Sequence, residues 1–253
     1  MVIAERHKYI LDQLKTAGYV SVAALSKSMN VTMVTVRKDL KILEDKGLLF
    51  RSHGSATPAA PYVIDKPVDE KQLVQVEQKR AIALKAVSLL KQNDAIIIGS
   101  GTTVLAFAQA IPKDLSLTIL TGAMNVSIAL LDLHHAEVVQ LGGVVRKSSS
   151  SVVGHFAETM IKSFACSKLF ISVDGIDSEF GLTTSNMMEA HLNSTMIRSV
   201  QKTIVLADSS KFGKKSFGKI AHLEDVDTII SDKALSQHYV SLLEDKGIEV
   251  LLV

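Results

Sequence analysis

The sequence of 253 residues predicts a winged helix-turn-helix over residues 1–57, then an α/β domain with a mostly parallel sheet over 75–253. A linker over 58–74 joins them. Three observations carry this. A capped helix with one cationic face follows a polar turn at residues 30–32. Seven short apolar runs alternate with helical stretches beyond residue 75. Three of the four prolines, Pro58, Pro61 and Pro67, fall between the two regions, where proline favours semi-rigid extended backbone.

From Arg6 to Leu14, the residues Ile10, Leu11 and Leu14 sit at helical spacing, and Ser21 is placed to cap a second helix ending near Met29. Asn30-Val31-Thr32 reverses the chain. Thr32 is placed to cap the third helix and Gly47 to stop it. Along this helix Val36, Leu40 and Leu43 recur at the spacing that buries one face, while Val34, Lys38 and Lys41 lie opposite, flanked by Thr35 and Arg37. Leu48 to Gly54 reads as a strand and a basic turn, the place of a wing. The candidate contacts to double-stranded DNA are Thr32, Met33, Thr35, Arg37, Lys38 and Lys41 on the helix, with Arg51 and His53 on the wing.

Charge separates this reading from a protein-interaction module, whose charged helix face would be merely solvated. Residues 1–57 hold nine lysines and arginines against five acidic residues, whereas the remainder holds nineteen against twenty-one. Positive potential confined to one unit suits phosphate contacts whose affinity falls with salt.

Arg6, Ile10, Leu14 and the run Thr35 to Leu40 together resemble the signature of the DeoR-type bacterial transcriptional regulators, and Arg51-Ser52-His53-Gly54 resembles that family's wing. Ser55 departs from it, standing where a second glycine is usual, which implies a slightly stiffer wing tip.

In the second unit the strand candidates are residues 95–98, 117–120, 138–141, 169–173, 203–206, 228–230 and 250–253. Near-continuous hydrophobicity with helices between predicts a parallel sheet covered on both faces. Ligands of such sheets bind beyond the carboxyl ends of the strands. There Gly99-Ser100-Gly101-Thr102-Thr103 precedes a helix expected to start near Val104, a pattern suited to cradling an anion on backbone N–H groups. Thr121-Gly122, Leu141-Gly142-Gly143, Asp174-Gly175-Ile176-Asp177 and Gly181-Leu182-Thr183-Thr184 fall at later strand ends. Asp174 and Asp177 are suited to accept hydrogen bonds from sugar hydroxyls, and Arg146 and Lys211 to balance phosphate charge.

Gly99-Ser100-Gly101-Thr102-Thr103, Asp174-Gly175-Ile176-Asp177, Gly181-Leu182-Thr183-Thr184 and Ala207-Asp208-Ser209-Ser210-Lys211-Phe212-Gly213, in that order, also resemble the DeoR effector domain, which is similar in fold to ribose-5-phosphate isomerase. The resemblance implies a repressor of carbohydrate-metabolism genes with a phosphorylated sugar or sugar-alcohol effector. The candidate effector residues are Gly101, Thr102, Thr103, Thr121, Arg146, Asp174, Gly181, Thr183, Thr184 and Lys211. Two departures bear on the pocket: Gly122 replaces the usual Asn, and Asn193 the usual Lys.

The competing function is a sugar-phosphate isomerase with an accessory DNA-binding domain, using Glu189 as base and Lys211 as electrophile. A helix glutamate is solvated by default, and one cation is missing at Asn193, so no catalytic residue is expected. No cofactor or metal is expected either: His134 and His135 read as solvent-facing, and the single Cys166 as a buried, inert thiol. Without a secretory h-region or an apolar run of membrane-spanning length, a cytoplasmic protein with no membrane partner is expected. Assembly into a homo-oligomer, a dimer or tetramer, would present paired winged helices to repeated half-sites.

Overall fold

A computed structural model describes residues 1–17, 19–46, 48–52, 54–58 and 67–253. The first unit holds α1 (Ile3–Ala17), β1 (Val20–Ser21), α2 (Val22–Met29), α3 (Met33–Asp45), β2 (Leu49–Ser52) and β3 (Ser55–Pro58). Ser21 caps α2 by accepting from the Ala24 amide, and Asn30 ends it in the left-handed region. Strands β2 and β3 form the wing hairpin, and β1 pairs antiparallel with β3. Ile10 and Leu14 from α1, Leu25 from α2 and Val36, Leu40 and Leu43 from α3 close one core.

The segment read as linker contains a short helix, α4 (Val68–Gln72), with Val68 buried, and α5 (Val76–Val87) follows. Then come β4 (Asp94–Ile98), α6 (Thr102–Ala110), β5 (Leu117–Thr121), α7 (Met124–Leu130), β6 (Ala136–Gln140), β7 (Val144–Arg146), β8 (Ser151–Val153), α8 (His155–Ile161) and β9 (Cys166–Ile171). The chain continues through β10 (Gly175–Asp177), β11 (Gly181–Thr184), α9 (Met187–Arg198), β12 (Val200–Leu206), β13 (Gly218–Ala221), β14 (Thr228–Ser231), α10 (Gln237–Asp245) and β15 (Glu249–Leu252).

The seven expected strands form one parallel sheet in the order β15-β14-β12-β9-β4-β5-β6. Alternation along each strand feeds two cores. Ile97, Leu120, Leu169, Ile171, Val205 and Ile229 face one side, whereas Ile96, Ile98, Ile119, Phe170, Ile204, Leu206 and Ile230 face the other. Both faces are buried, which is why the runs are apolar throughout. From β4 the chain winds outward to β5 and β6 on one side and later builds β9, β12, β14 and β15 on the other. The order therefore reverses beside β4, and the crevice where a ligand fits lies at the carboxyl ends of β4 and β9. Two smaller pieces, missed in the sequence, are the β7–β8 hairpin and the antiparallel sheet β10-β11-β13.

The two units touch at Tyr19, in the connection from α1 to β1. Its ring stacks on His238 of α10 at a centroid distance of 4.3 Å and meets Tyr239 edge-on at 6.1 Å.

Candidate functional site

The first candidate surface is the outer face of α3. Thr32 caps it by accepting from the Thr35 amide at 3.2 Å, and the two threonine hydroxyls lie 3.0 Å apart. Met33 and Val34 are 47% and 59% exposed, Arg37, Lys38 and Lys41 are exposed, and Thr35 is half-buried. Large apolar groups left in water beside three cations form a surface matched to a polyanion with apolar base edges. On the wing, Arg51 is tethered to α3: its backbone amide and Nε donate to Glu44 at 3.0 and 2.6 Å. Hydrogen bonds from Arg51 hold the Glu44 carboxyl below its ordinary range. Gly54 takes the hairpin turn at φ +77°, where a side chain would be strained. Ser55 pairs with Ser52 and Ser21 as an ordinary strand residue, so its side chain belongs to β3 and not to the turn. His53 and Gly47 lie outside the described residues.

The second is a cleft at the switch point, lined by Gly101, Thr102, Thr103, Arg146, Asp174, Thr184 and Lys211 of the candidate set. Helix α6 begins at Thr102, two residues earlier than expected, with Gly101 as N-cap at φ +124°. A Cβ at Gly101 would lie 2.9 Å from that of Ser172, so the close approach of β4 and β9 also needs glycine there. The N-cap residue's side chain caps α2, α3 and α9, whereas Gly101 offers none to α6; the Ser172 hydroxyl accepts from the Val104 amide at 3.3 Å, which leaves the Thr102 and Thr103 amides at the end of the helix dipole that attracts anions.

Two buried carboxylates face each other across the cleft. Asp174 accepts from Lys71 at 2.8 Å and the Ser185 amide at 3.0 Å. Glu189 accepts from Ser100 at 2.9 Å and Arg146 at 3.2 Å. The Thr184 hydroxyl lies 3.1 Å from Asp174 and 3.2 Å from Glu189 and ties the pair together. Burial alone pushes the Asp174 carboxyl up, but the charge and hydrogen bond of Lys71, the charge of Lys211 and the Ser185 amide together hold it below its usual range. Lys211 makes no ion pair or side-chain hydrogen bond among the described residues.

Three candidates fall outside the cleft. The Thr121 hydroxyl turns back to accept from the Ala123 amide at 3.0 Å. Thr183 is fully buried, donating to the Gly175 carbonyl and accepting from the Ser216 amide. Thr183 and Thr184 alternate across β11, so only one of the two can face the ligand side. Gly181 starts β11 at φ +90°, where a Cβ would lie 2.2 Å from the Ala221 carbonyl oxygen; its role is close packing on β13. Asp177 also turns away, accepting from the Glu179 and Phe180 amides and pairing with Lys215.

Sequence reasoning left out Lys71, Ser100, Ser172 and Val68, which also line the cleft, and treated Glu189 as solvated although it is 6% exposed. Ser100 lay within the glycine-rich turn and Glu189 three residues into a capped helix, both usable signals. Lys71 lies 103 residues from its partner, and no local pattern marks it. Asn193 lines the cleft, whereas Gly122 packs against Val152.

Among the described residues no group of three or more histidine, cysteine or acidic side chains could hold a metal, and no helix is long and apolar enough to cross a membrane. His134 and His135 are exposed, and Cys166 is buried with its thiol pushed up by that burial.

Residues 6–60 match the model of the DeoR-like helix-turn-helix domain and residues 74–233 that of the DeoR C-terminal sensor domain. The HTH-type transcriptional regulator YulB of Bacillus subtilis is 35% identical over 100% of this chain and 98% of its own length. The HTH-type transcriptional repressor CsqR of Escherichia coli is 28% identical, covering 98% and 94%. Ribose 5-phosphate isomerase A from Neisseria gonorrhoeae is similar over 56% of this chain and 55% of that one, with a TM-score of 0.40 and 19% identity. A DNA-binding motif and a sensor domain, matched in that order across most of the sequence, place this chain in the DeoR family of transcriptional regulators.

Proposed function

We propose that this protein is a repressor that grips its operator with the outer face of α3 and the wing, and releases it when a phosphorylated sugar or sugar alcohol occupies the cleft. The observation that carries the sensor half is the pairing of a helix start whose first two amides have no side-chain cap with a lysine that makes no ion pair or side-chain hydrogen bond among the described residues. The first turn of α6 and Lys211 converge on one cleft, where an anionic group satisfies both. Asp174 stands beside them as an acceptor for hydroxyls. On the DNA half, Arg37, Lys38 and Lys41 supply phosphate contacts, Met33, Thr32 and Thr35 approach base edges, and Arg51 reaches the flanking backbone.

The same site argues against turnover. Both oxygens of Glu189 accept hydrogen bonds from fixed side chains, so the carboxylate is held as a structural acceptor and is not poised to take a proton from carbon. A role on DNA supports a cytoplasmic location. Assembly into a homo-oligomer is supported by exposed apolar side chains on and beside elements that surround β8: Ile128 of α7 and Leu131 just after it, Val144 and Val145 of β7, and Phe156 of α8.

Thermal unfolding against a panel of phosphorylated and unphosphorylated sugars and sugar alcohols tests the sensor reading. One or a few phosphorylated compounds are expected to raise the melting temperature of the protein and to lose that effect in Lys211→Ala and Thr102→Ala. A shift that survives both substitutions would reject this cleft as the site.

A further inference from the structure

As it stands, the cleft leaves about 50 Å³ free. That is room for roughly four water molecules, enough for a phosphate-sized anion. The Asn193 amide and the Thr102 and Thr103 hydroxyls line it, each more than nine-tenths buried and without a hydrogen bond among the described residues. Three cations border the same space. Arg146 is drawn to Glu189, Lys211 comes from the turn after β12, and Lys71 comes from α4, outside the sheet and its crossover helices.

The Lys71 ammonium gives one hydrogen to Asp174 at 2.8 Å. An ammonium carries three donors, so two remain for an acceptor in the cavity. The backbone behind it is fixed: the buried Lys79 ammonium of α5 donates to the carbonyls of Lys71 and Val74, both at 2.5 Å, closing the carboxyl end of α4. Val68 anchors the other end. Helix α4 starts directly after Pro67, and the chain before it leads back to the wing.

We propose that Lys71 is an anion-contacting residue of the effector site, carried into it by the helix that follows the interdomain segment, so that the bound anionic group pins α4 against the sensor domain. This rests on the sensor reading above. A ligand that adds acceptors to the Lys71 ammonium strengthens the hold on the point from which the DNA-binding unit is tethered, and so occupancy of the pocket reaches that unit through one side chain.

Inorganic phosphate is the probe, because it fits the cavity whatever sugar the natural ligand carries. Its affinity for the full chain is to be measured by titration calorimetry, and hydrogen exchange of residues 68–72 followed with and without saturating phosphate. In the unmodified protein, phosphate is expected to bind and to slow that exchange. In Lys71→Gln, affinity is expected to fall roughly five- to tenfold and the protection of α4 to vanish. Lys71→Arg, which keeps the charge and also controls for folding, is expected to restore both. Unchanged affinity and protection in Lys71→Gln would overturn the proposal and leave Lys71 as a structural partner of Asp174, while loss of phosphate binding in Lys211→Gln would keep the sensor reading intact. Absence of phosphate binding in the unmodified protein, or its persistence in Lys211→Gln, would overturn the sensor reading and this proposal with it.

Discussion

Arg6 of α1 grips Asp39 of α3 with two parallel hydrogen bonds, Nε to Oδ2 at 2.7 Å and Nη2 to Oδ1 at 3.0 Å. Asp39 is 2% exposed, and His7 approaches it from the same helix at 3.3 Å. The hydrogen bond to Asp39 raises the Arg6 guanidinium above its ordinary value. Two residues of the family signature therefore set the angle between the first helix and the recognition helix, and neither is free to meet DNA.

Removing the guanidinium strands a buried carboxylate. Arg6→Met is expected to lower the melting transition of the winged helix by about 5 °C or more and to leave the response of the sensor domain to phosphorylated ligands unchanged. Differential scanning calorimetry of the full chain reads both, and an unmoved winged-helix transition would show that the pair contributes nothing to stability.

Phosphate contacts on α3 have a salt signature. Arg37→Ala and Lys38→Ala are each expected to weaken operator binding and to reduce the slope of log affinity against log salt by about 1. Arg51→Ala is expected to cost less, because that guanidinium is already shared with Glu44. A mobility-shift series across salt concentrations measures all three, and wild-type slopes in both helix variants would remove α3's outer face from the interface.

The depressed Asp174 carboxyl fixes a pH dependence. A group whose folded pKa lies below its unfolded value of 3.8 contributes stability that is fully present above that value and drains away as pH falls through the lower folded one. The sensor domain is therefore expected to lose stability on acidification below about pH 4. Lys71→Gln is expected to be less stable at pH 7 and to show a shallower loss there. Equal acid limbs in the two proteins, followed by thermal unfolding from pH 2 to 7, would mean that Lys71 does not hold the carboxyl down.

An apolar strip exposed in one chain has a use if a second copy covers it. Val145→Asp and Phe156→Asp are expected to shift the protein toward monomer in sedimentation experiments without altering the fold, and to weaken operator binding through lost avidity. An oligomer unchanged by both would place the subunit contact elsewhere.

The main sheet was legible because burial on both faces writes a strand as an apolar run, as in Ile96-Ile97-Ile98 and Thr203 to Leu206. The helix-turn-helix was legible because its caps Ser21 and Thr32 sit where the period changes. Strands β7, β8, β10, β11 and β13 were not: at three or four residues they are too short for an alternation to stand out. In the cleft, a position near a strand end located Thr102, Thr103, Asp174 and Thr184 but could not say which way a side chain points. Thr121 and Thr183 turn inward to backbone partners instead. Lys71 and Asp174 meet through tertiary packing across most of the sensor domain, a relation that no spacing in the chain encodes.

The central claim is that occupancy of the cleft controls DNA binding. Its most direct measurement is operator affinity of the full chain, by mobility shift at fixed salt, with and without the phosphorylated compound that raises the melting temperature. The predicted result is a weakening of roughly five- to 150-fold, the usual range of coupling between two sites, and its loss in Lys211→Ala while that variant still binds the operator alone. Equal affinity with and without a compound that demonstrably binds the cleft would contradict the account.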